Sequence, residues 1–256
     1  MRILLTNDDG IHAKGLELLE EMAREIADEV WIVAPESDQS GLAHSLTLNE
    51  PLRLRKISDK RFALKGTPTD CVIMGVRELM SEPPDLILSG INIGQNIGDD
   101  ITYSGTVAAA MEGTLLGIKS IALSQAYDWA DGQRAINWDT TTSHCPELIR
   151  KIIALDVPKK TLINVNFPNC SPDKVEGIEV TRQGSFDHGL FMEKRLDGRS
   201  YPYYWLRFGR EVPKQRDGSD IVALMENRIS ITPVHLDWTH EEFRTQMTDV
   251  IGDKAE

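Results

Sequence analysis

The fold is indicated by residues 3–10, Ile3-Leu4-Leu5-Thr6-Asn7-Asp8-Asp9-Gly10, in which an apolar run leads into two adjacent carboxylates. A short aliphatic run followed by turn-forming residues is typical of a buried parallel strand. Ligands of open α/β sheets gather at the carboxyl ends of such strands. We therefore expect Asp8 and Asp9 to face a cleft.

Three further runs share this pattern, at residues 30–33, 86–88 and 121–123. Apolar residues recur at helical spacing between the strands, as in Leu16, Leu19 and Met22. Strands that alternate with helices predict an α/β fold, a doubly wound and mostly parallel sheet with helix layers on both faces.

The second half of the chain is expected to complete this one domain, residues 1–256. We predict a helix over 138–155, a strand over 162–168, a helix over 221–227, a strand over 229–233 and a closing helix over 241–251. Within residues 45–64, Leu46–Leu48 and Leu52–Leu54 alternate with polar residues and predict a β-hairpin or an edge extension.

Residues 181–220 are rich in Gly, Arg and aromatic residues, including Tyr201-Pro202-Tyr203-Tyr204-Trp205. Exposed aromatic residues at this density favour a protruding arm or hairpin in a subunit interface. An ordinary covering loop is the alternative.

Composition disfavours several classes of partner and of cysteine site. The formal net charge of −12 over 256 residues disfavours nucleic acid and anionic membranes, which select basic surfaces. The three cysteines, Cys71, Cys145 and Cys170, have no CxxC spacing and predict neither a disulfide framework nor a cysteine zinc site. With no apolar stretch near the ~20 residues of a membrane span, a cytoplasmic protein is expected.

Asp8 and Asp9 indicate a cation site. Two charges about 5 Å apart repel by roughly 3 kcal/mol at an effective dielectric of ~20, so both stay ionised most easily beside a cation. The alternative is structural, because Asp often caps a helix, here one that begins near residue 14, or starts a turn with Gly10.

Three more strand-end loops carry oxygen ligands. Residues 89–100 combine glycines with Asn92 and Asn96, and Ser40 follows the second strand. Ser104-Gly105-Thr106 opens a helix, where free N–H groups suit a phosphate. Ordinary loop hydrogen bonding for Ser40, and helix capping by Ser104 or Thr106, are the alternatives. These hard ligands favour one Mg²⁺ or Mn²⁺ ion over zinc.

Taken together, these loops resemble the SurE family, survival protein E, a family of metal-dependent 5'/3'-nucleotidases. The resemblance rests on LLTNDDGIHAKG, APESDQSG, GTPTDC, SGINIGQNIGDDITYSGTVAAAMEG, NVNFP and ISITP, in this order along the chain. It implies that Asp8, Asp9, Ser40 and Asn92 bind one divalent ion per subunit. It also implies that Asn96, Ser104, Gly105 and Thr106 bind the phosphate.

By this resemblance, the protein hydrolyses nucleoside 5'- and 3'-monophosphates, and short polyphosphate is a further candidate substrate. Asp8 or Asp9 is expected to act in catalysis, and the carboxyl-terminal arm to build a homodimer or homotetramer. His12 and His44 are expected to support the site or the fold. Gln95, Ile97 and residues 126–134 are positions where substrate preference could vary.

Of two other functions, the sequence disfavours one and leaves the other open. A phosphatase with a phospho-aspartate intermediate would need an Asp-x-Asp pattern, and Gly10 stands where the second Asp would be. A nucleotide- and metal-binding module without turnover would use the same loops, so the sequence does not exclude it.

Overall fold

The computed structural model describes residues 1–252, apart from the side chains of residues 187–190, 208, 210 and 211. Residues 253–256, which the single-domain prediction includes, lie outside this part. The strands are β1 (Arg2–Thr6), β2 (Glu29–Pro35), β3 (Arg53–Ser58), β4 (Arg61–Lys65), β5 (Leu86–Ile93), β6 (Lys119–Gln125), β7 (Asp128–Ala130), β8 (Gln133–Ala135), β9 (Thr161–Phe167), β10 (Gly177–Val180), β11 (Asp187–Leu196), β12 (Pro202–Glu211) and β13 (Arg228–His235). The α-helices are α1 (Lys14–Arg24), α2 (Pro68–Met74), α3 (Gly105–Leu115), α4 (Trp138–Ile153), α5 (Asp220–Met225) and α6 (Glu241–Ile251).

Nine strands form the central sheet, in the order β10-β13-β9-β6-β5-β1-β2-β4-β3. Six of its pairings are parallel, and β13–β9 and β3–β4 are antiparallel. The prediction of a doubly wound, mostly parallel sheet is confirmed.

Helices cover both faces of this sheet. Ile3 and Leu5 point toward α1 and α4, and pack with Leu16 and Ile149 in one core. Leu4, between them in β1, points to the other face and packs with residues of α2 and α3. Because successive side chains of a strand alternate between faces, a strand covered on both faces is apolar throughout.

The predicted hairpin within residues 45–64 exists, but it uses other residues. β3 and β4 pair, with Leu54 opposite Leu64, while Leu46 and Leu48 lie outside any strand and are exposed. The start of α2 holds this segment instead, because Thr47 N–H donates to Asp70 Oδ1 at 3.1 Å. These side-chain contacts replace a strand ladder, which the sequence alternation could not indicate.

The segment between α2 and β5 contains a second kind of helical turn. α2 ends at Met74, and a π-helical turn, Gly75–Leu79, follows it. A Cβ at residue 75 would lie 2.8 Å from Leu4 Cδ2, so the small residue lets this turn press against the sheet.

Two hairpins, one of three-residue strands and one of ten-residue strands, form sheets of their own. β7 pairs with β8, and β11 pairs with β12 in the range predicted for the arm. Tyr203, Tyr204 and Trp205 of β12 are exposed. α6 forms where predicted, but none of its residues is buried.

Candidate metal and phosphate site

A cleft of 370 Å³ opens at the carboxyl edge of the sheet. It is lined by Asp8, Ser40, Gly41, Asn92, Ile93, Gln95, Asn96, Asp100, Tyr103, Ser104 and Arg134. These residues come from the loops after β1 and β2, from β5 and its loop, from the start of α3 and from β8. Predicted residues from four loops therefore meet at one site.

Asp8 and Asp9 are held by partners on different elements. Asp8 is 4% exposed, and its Oδ1 accepts a hydrogen bond from the Thr106 hydroxyl. Asp9 Oδ2 accepts from the Ile93 N–H at 3.1 Å. Neither caps α1, whose N-cap is Ala13 without a side-chain cap. The helix-capping alternative is therefore wrong.

The electrostatics of this pair suit a cation. Burial raises the pKa of Asp8. Burial, together with the charge of Asp8, raises the pKa of Asp9 to about 7, while the Ile93 N–H and Arg134 act in the opposite direction. A cation would offset both the loss of solvation and the mutual repulsion of the carboxylates.

Ser40 and Asn92 add neutral oxygen atoms to the cleft. The Ser40 hydroxyl donates to Asp38 Oδ1 at 2.6 Å, and its N–H donates to the same atom at 2.7 Å. The Ser40 hydroxyl is thus bonded to a carboxylate, whereas ordinary loop hydrogen bonding would have paired it with the backbone. Asn92 Nδ2 donates to the Gly94 carbonyl at 2.8 Å, which fixes the plane of the amide.

Asn96 is fixed by the neighbouring strands. Its N–H donates to Asn166 Oδ1 at 2.7 Å, and its Nδ2 donates to Ser124 Oγ at 2.8 Å. Its carbonyl accepts from the amides of both Asn164 and Asn166. Sequence reasoning missed this supporting role, although the alternation of Asn with apolar residues in β9 carried the signal.

The predicted phosphate-binding turn begins α3. Ser104 caps the helix, since its Oγ accepts from the Val107 N–H at 3.1 Å, so the capping alternative holds for Ser104. Gly105 and Thr106 lie behind Asp8 and do not line the cleft. A Cβ at residue 105 would lie 2.8 Å from Asp8 Cβ, so the absence of a side chain allows this approach.

The donor set fits a hard divalent ion. Within residues 1–252, no group of three or more His, Cys, Asp or Glu is placed to hold a metal. The candidate ligands are two carboxylates with hydroxyl and amide oxygens, which suit Mg²⁺ or Mn²⁺ and not a structural zinc ion.

The histidines lie outside the cleft lining. His44 Nε2 is 2.9 Å from Glu112 Oε2. His235 Nδ1 accepts from the Asp237 N–H at 3.3 Å, and His12 is exposed. Two charged residues lie at or beside the site. Asp38, which the sequence did not assign, accepts from Ser40. Arg134, within the residues 126–134 where substrate preference was expected to vary, lines the cleft.

The chain is similar to proteins of one known family. The family model described as Survival protein SurE matches residues 3–189. A protein of Brucella anthropi named 5'-nucleotidase SurE is 58% identical over 252 residues, with 98% of each chain covered. A protein of Brucella canis with the same name is 56% identical over 255 residues and covers 100% of both chains.

A solved structure of the same family has a similar fold. The crystal structure of the SurE protein from Aquifex aeolicus matches with a TM-score of 0.83 and 39% identity, and the match covers 97% of this chain and 99% of that one.

No helix within residues 1–252 is both long and apolar enough to cross a membrane.

Proposed function

Because this chain belongs to the SurE family, we propose that it is a 5'-nucleotidase, a metal-dependent phosphomonoesterase that converts nucleoside 5'-monophosphates into nucleoside and inorganic phosphate. The observation that supports the metal dependence is the pair of adjacent carboxylates at the end of β1: Asp8 is buried and lines the cleft, and Asp9 beside it is partly buried and accepts from the Ile93 N–H. We extend the proposal to 3'-monophosphates and short polyphosphate as further substrates.

One divalent ion per subunit, Mg²⁺ or Mn²⁺, would be held by Asp8, Asp9, Ser40 and Asn92. When bound, such an ion polarises a phosphoryl oxygen and lowers the pKa of a coordinated water. Thr106 and the Ile93 N–H hold the two carboxylates in place. Carboxylates that are already oriented need less reorganisation when a metal ion binds.

Substrate phosphate would bind between Asn96 and the start of α3. The Ser104 hydroxyl can still donate its own proton after its oxygen has accepted from Val107 N–H. The positive end of the α3 helix dipole lies at Ser104 and favours an anion there. As charge builds on the phosphoryl oxygens, these groups stabilise the transition state.

Proton transfer completes the hydrolysis. The attacking water loses a proton to the carboxylate of Asp8 or Asp9, the acidic groups that we assign to catalysis. The oxygen of the leaving nucleoside gains a proton from solvent through the open cleft. The P–O bond to the nucleoside breaks as the P–O bond to the water oxygen forms.

We also propose that the chain forms a homodimer or homotetramer through the arm, residues 181–220, and that it acts in the cytoplasm. The exposed aromatic residues of β12 and the fully exposed helix α6 support the assembly. The proposal includes no nucleic acid and no membrane as a partner, consistent with a net charge of −12.

The test is phosphate release from a panel of 5'- and 3'-nucleotides after chelation, with and without added Mn²⁺ or Mg²⁺. We expect metal-restored turnover in the wild type and a loss of about a hundredfold or more in Asp8→Asn. Asp59→Asn, whose side chain is 86% exposed, is the matched control and keeps full activity.

A second measurement distinguishes the non-enzymatic alternative. Calorimetry with adenosine 5'-monophosphate and metal would detect binding without turnover. Binding by a wild type that releases no phosphate from any nucleotide would refute the nucleotidase and support the binding module.

A further inference from the structure

Arg134 is the cationic side chain of the candidate cleft. Among the described residues that line the cleft, it is the only Lys, Arg or His, and it shares the lining with Asp8 and Asp100. The whole chain carries a formal net charge of −12. The net negative charge of the protein therefore repels an anionic substrate. A cationic side chain at the binding position offsets this repulsion.

The guanidinium has a defined position. Arg134 lies in β8, and its Cζ is 4.9 Å from the centroid of the Tyr127 ring. Tyr127 is braced in turn, because Trp129 packs edge-on against it at 5.8 Å between centroids. A Cβ at residue 94 would lie 3.2 Å from Tyr127 Cε1, so this ring also contacts the Gly94 loop.

The donors of this guanidinium are available. In the part of the chain that the structure describes, its nitrogen atoms form no hydrogen bond and no ion pair. Stacking on an aromatic face uses the plane of the group and leaves its N–H edges directed outward. Such a fork matches two oxygens of a phosphate, with a geometry that a lysine cannot reproduce.

From these three observations we propose that Arg134 is a substrate-binding residue that donates to the phosphate in the cleft, and that Tyr127 is its positioning residue. This assignment rests on the proposed function, because it places the phosphate of a nucleotide beside Ser104 and Asn96. It also gives a role to the short β7–β8 hairpin, which carries the guanidinium to the cleft.

The first test compares Arg134→Gln and Arg134→Lys with wild type in steady-state hydrolysis of adenosine 5'-monophosphate with saturating metal. We expect KM to rise about tenfold in Arg134→Gln, with a smaller change in kcat, since a charge-assisted bidentate contact is lost. Arg134→Lys should recover only part of the loss. Arg150→Gln, an exposed arginine near the end of α4, is the charge-matched control and should behave as wild type.

The second test does not depend on turnover. Calorimetry measures the binding of inorganic phosphate to the metal-loaded protein, and we expect about tenfold weaker binding in Arg134→Gln. Tyr127→Phe keeps the ring and should bind phosphate as wild type does, whereas Tyr127→Leu should approach Arg134→Gln. Unfolding in urea checks that each variant is folded.

Two results would overturn the proposal: phosphate binding unchanged in Arg134→Gln, or an equal loss in Arg150→Gln, which would indicate a general effect of charge. If the wild type hydrolyses no nucleotide but Arg134→Gln still weakens phosphate binding, the nucleotidase fails and the phosphate contact stands. Hydrolysis by the wild type with unchanged KM and phosphate binding in Arg134→Gln removes only the role of Arg134.

Discussion

The Thr106 hydroxyl, in the first turn of α3, donates a hydrogen bond to Oδ1 of Asp8, just beyond the end of β1. The two residues are 98 positions apart in the chain, and both are buried. Thr106 was expected to bind phosphate, yet the structure directs its hydroxyl to a candidate metal ligand. The hydrogen bond fixes the orientation of the Asp8 carboxylate.

Removal of this contact should weaken metal binding. In Thr106→Val, we expect Mn²⁺ affinity to fall by about tenfold or more, because the orientation of a metal ligand depends on such outer partners. Thr106→Ser keeps the hydroxyl and should retain most of the affinity. Calorimetric titration of the metal-free protein with Mn²⁺ measures the affinity of each variant. Equal affinity in Thr106→Val and wild type would contradict the supporting role.

A methyl group at residue 105 should displace Asp8. The added Cβ would lie 2.8 Å from Asp8 Cβ and 2.9 Å from Asp8 Oδ2, so one of the two must shift. We expect Gly105→Ala to lower kcat/KM for nucleotide hydrolysis by about a hundredfold, the scale of a misplacement near 1 Å. Gly198→Ala, where a Cβ meets nothing within 4 Å, should leave kcat/KM unchanged. Full activity in Gly105→Ala would show that the turn adapts.

Asp9 should make the metal-free protein less stable as the pH rises. Burial raises its pKa to about 7 from the ordinary 3.8, so the folded state binds this proton more tightly than the unfolded state. The stabilising effect is complete below about pH 4 and is lost as the pH rises to about 7. Asp9→Asn should therefore increase the free energy of unfolding by about 1–3 kcal/mol at pH 8 and little at pH 4.

Urea unfolding in the presence of a chelator measures this difference at the two pH values. Asp59→Asn, an exposed aspartate, is the control and should show no such pH dependence. An Asp9→Asn protein that is no more stable than wild type at pH 8 would contradict the cost of the buried charge.

Asp220 should connect the loop after β5 to the segment that precedes β11. Its carboxylate accepts from the N–H groups of Gly98 at 2.9 Å and Gly184 at 2.8 Å, as well as from Ile221. Asp220→Asn replaces one acceptor oxygen by a donor, and we expect a loss of about 1–3 kcal/mol in the free energy of unfolding. Faster hydrogen exchange at Gly98 and Gly184 should accompany it. Unchanged exchange at both amides would exclude this bracing role.

The arm should control assembly. Tyr204, Leu206 and, across the strand pair, Met192 are exposed on β12 and β11. The double substitution Tyr204→Glu with Leu206→Glu should reduce the molar mass in light scattering toward that of a monomer, because charge disfavours an apolar interface. Leu155→Glu, at a residue that is 59% exposed outside the arm, is the control. A double variant with the wild-type mass would place the interface elsewhere.

The sequence by itself determined the wound sheet and the positions of the cleft loops. Strand and helix periodicity are local properties, and burial on both faces forces an apolar run such as residues 3–5. It also predicted that Asp8, Ser40, Asn92 and Asn96 would meet, since the carboxyl ends of parallel strands share one edge of the sheet. The same local reasoning failed for Leu46 and Leu48, where contacts with the start of α2 replaced strand pairing.

Only the tertiary structure decided which partner each polar side chain takes. Asp220 reaches Gly98 across 122 positions of sequence, and Asn166 reaches Asn96 across 70. Arg134 lines the cleft from a two-stranded hairpin and lies over the ring of Tyr127, a placement that no periodicity encodes. Such contacts depend on how separate elements pack, and packing brings together residues whose distance along the chain carries no signal of their distance in space.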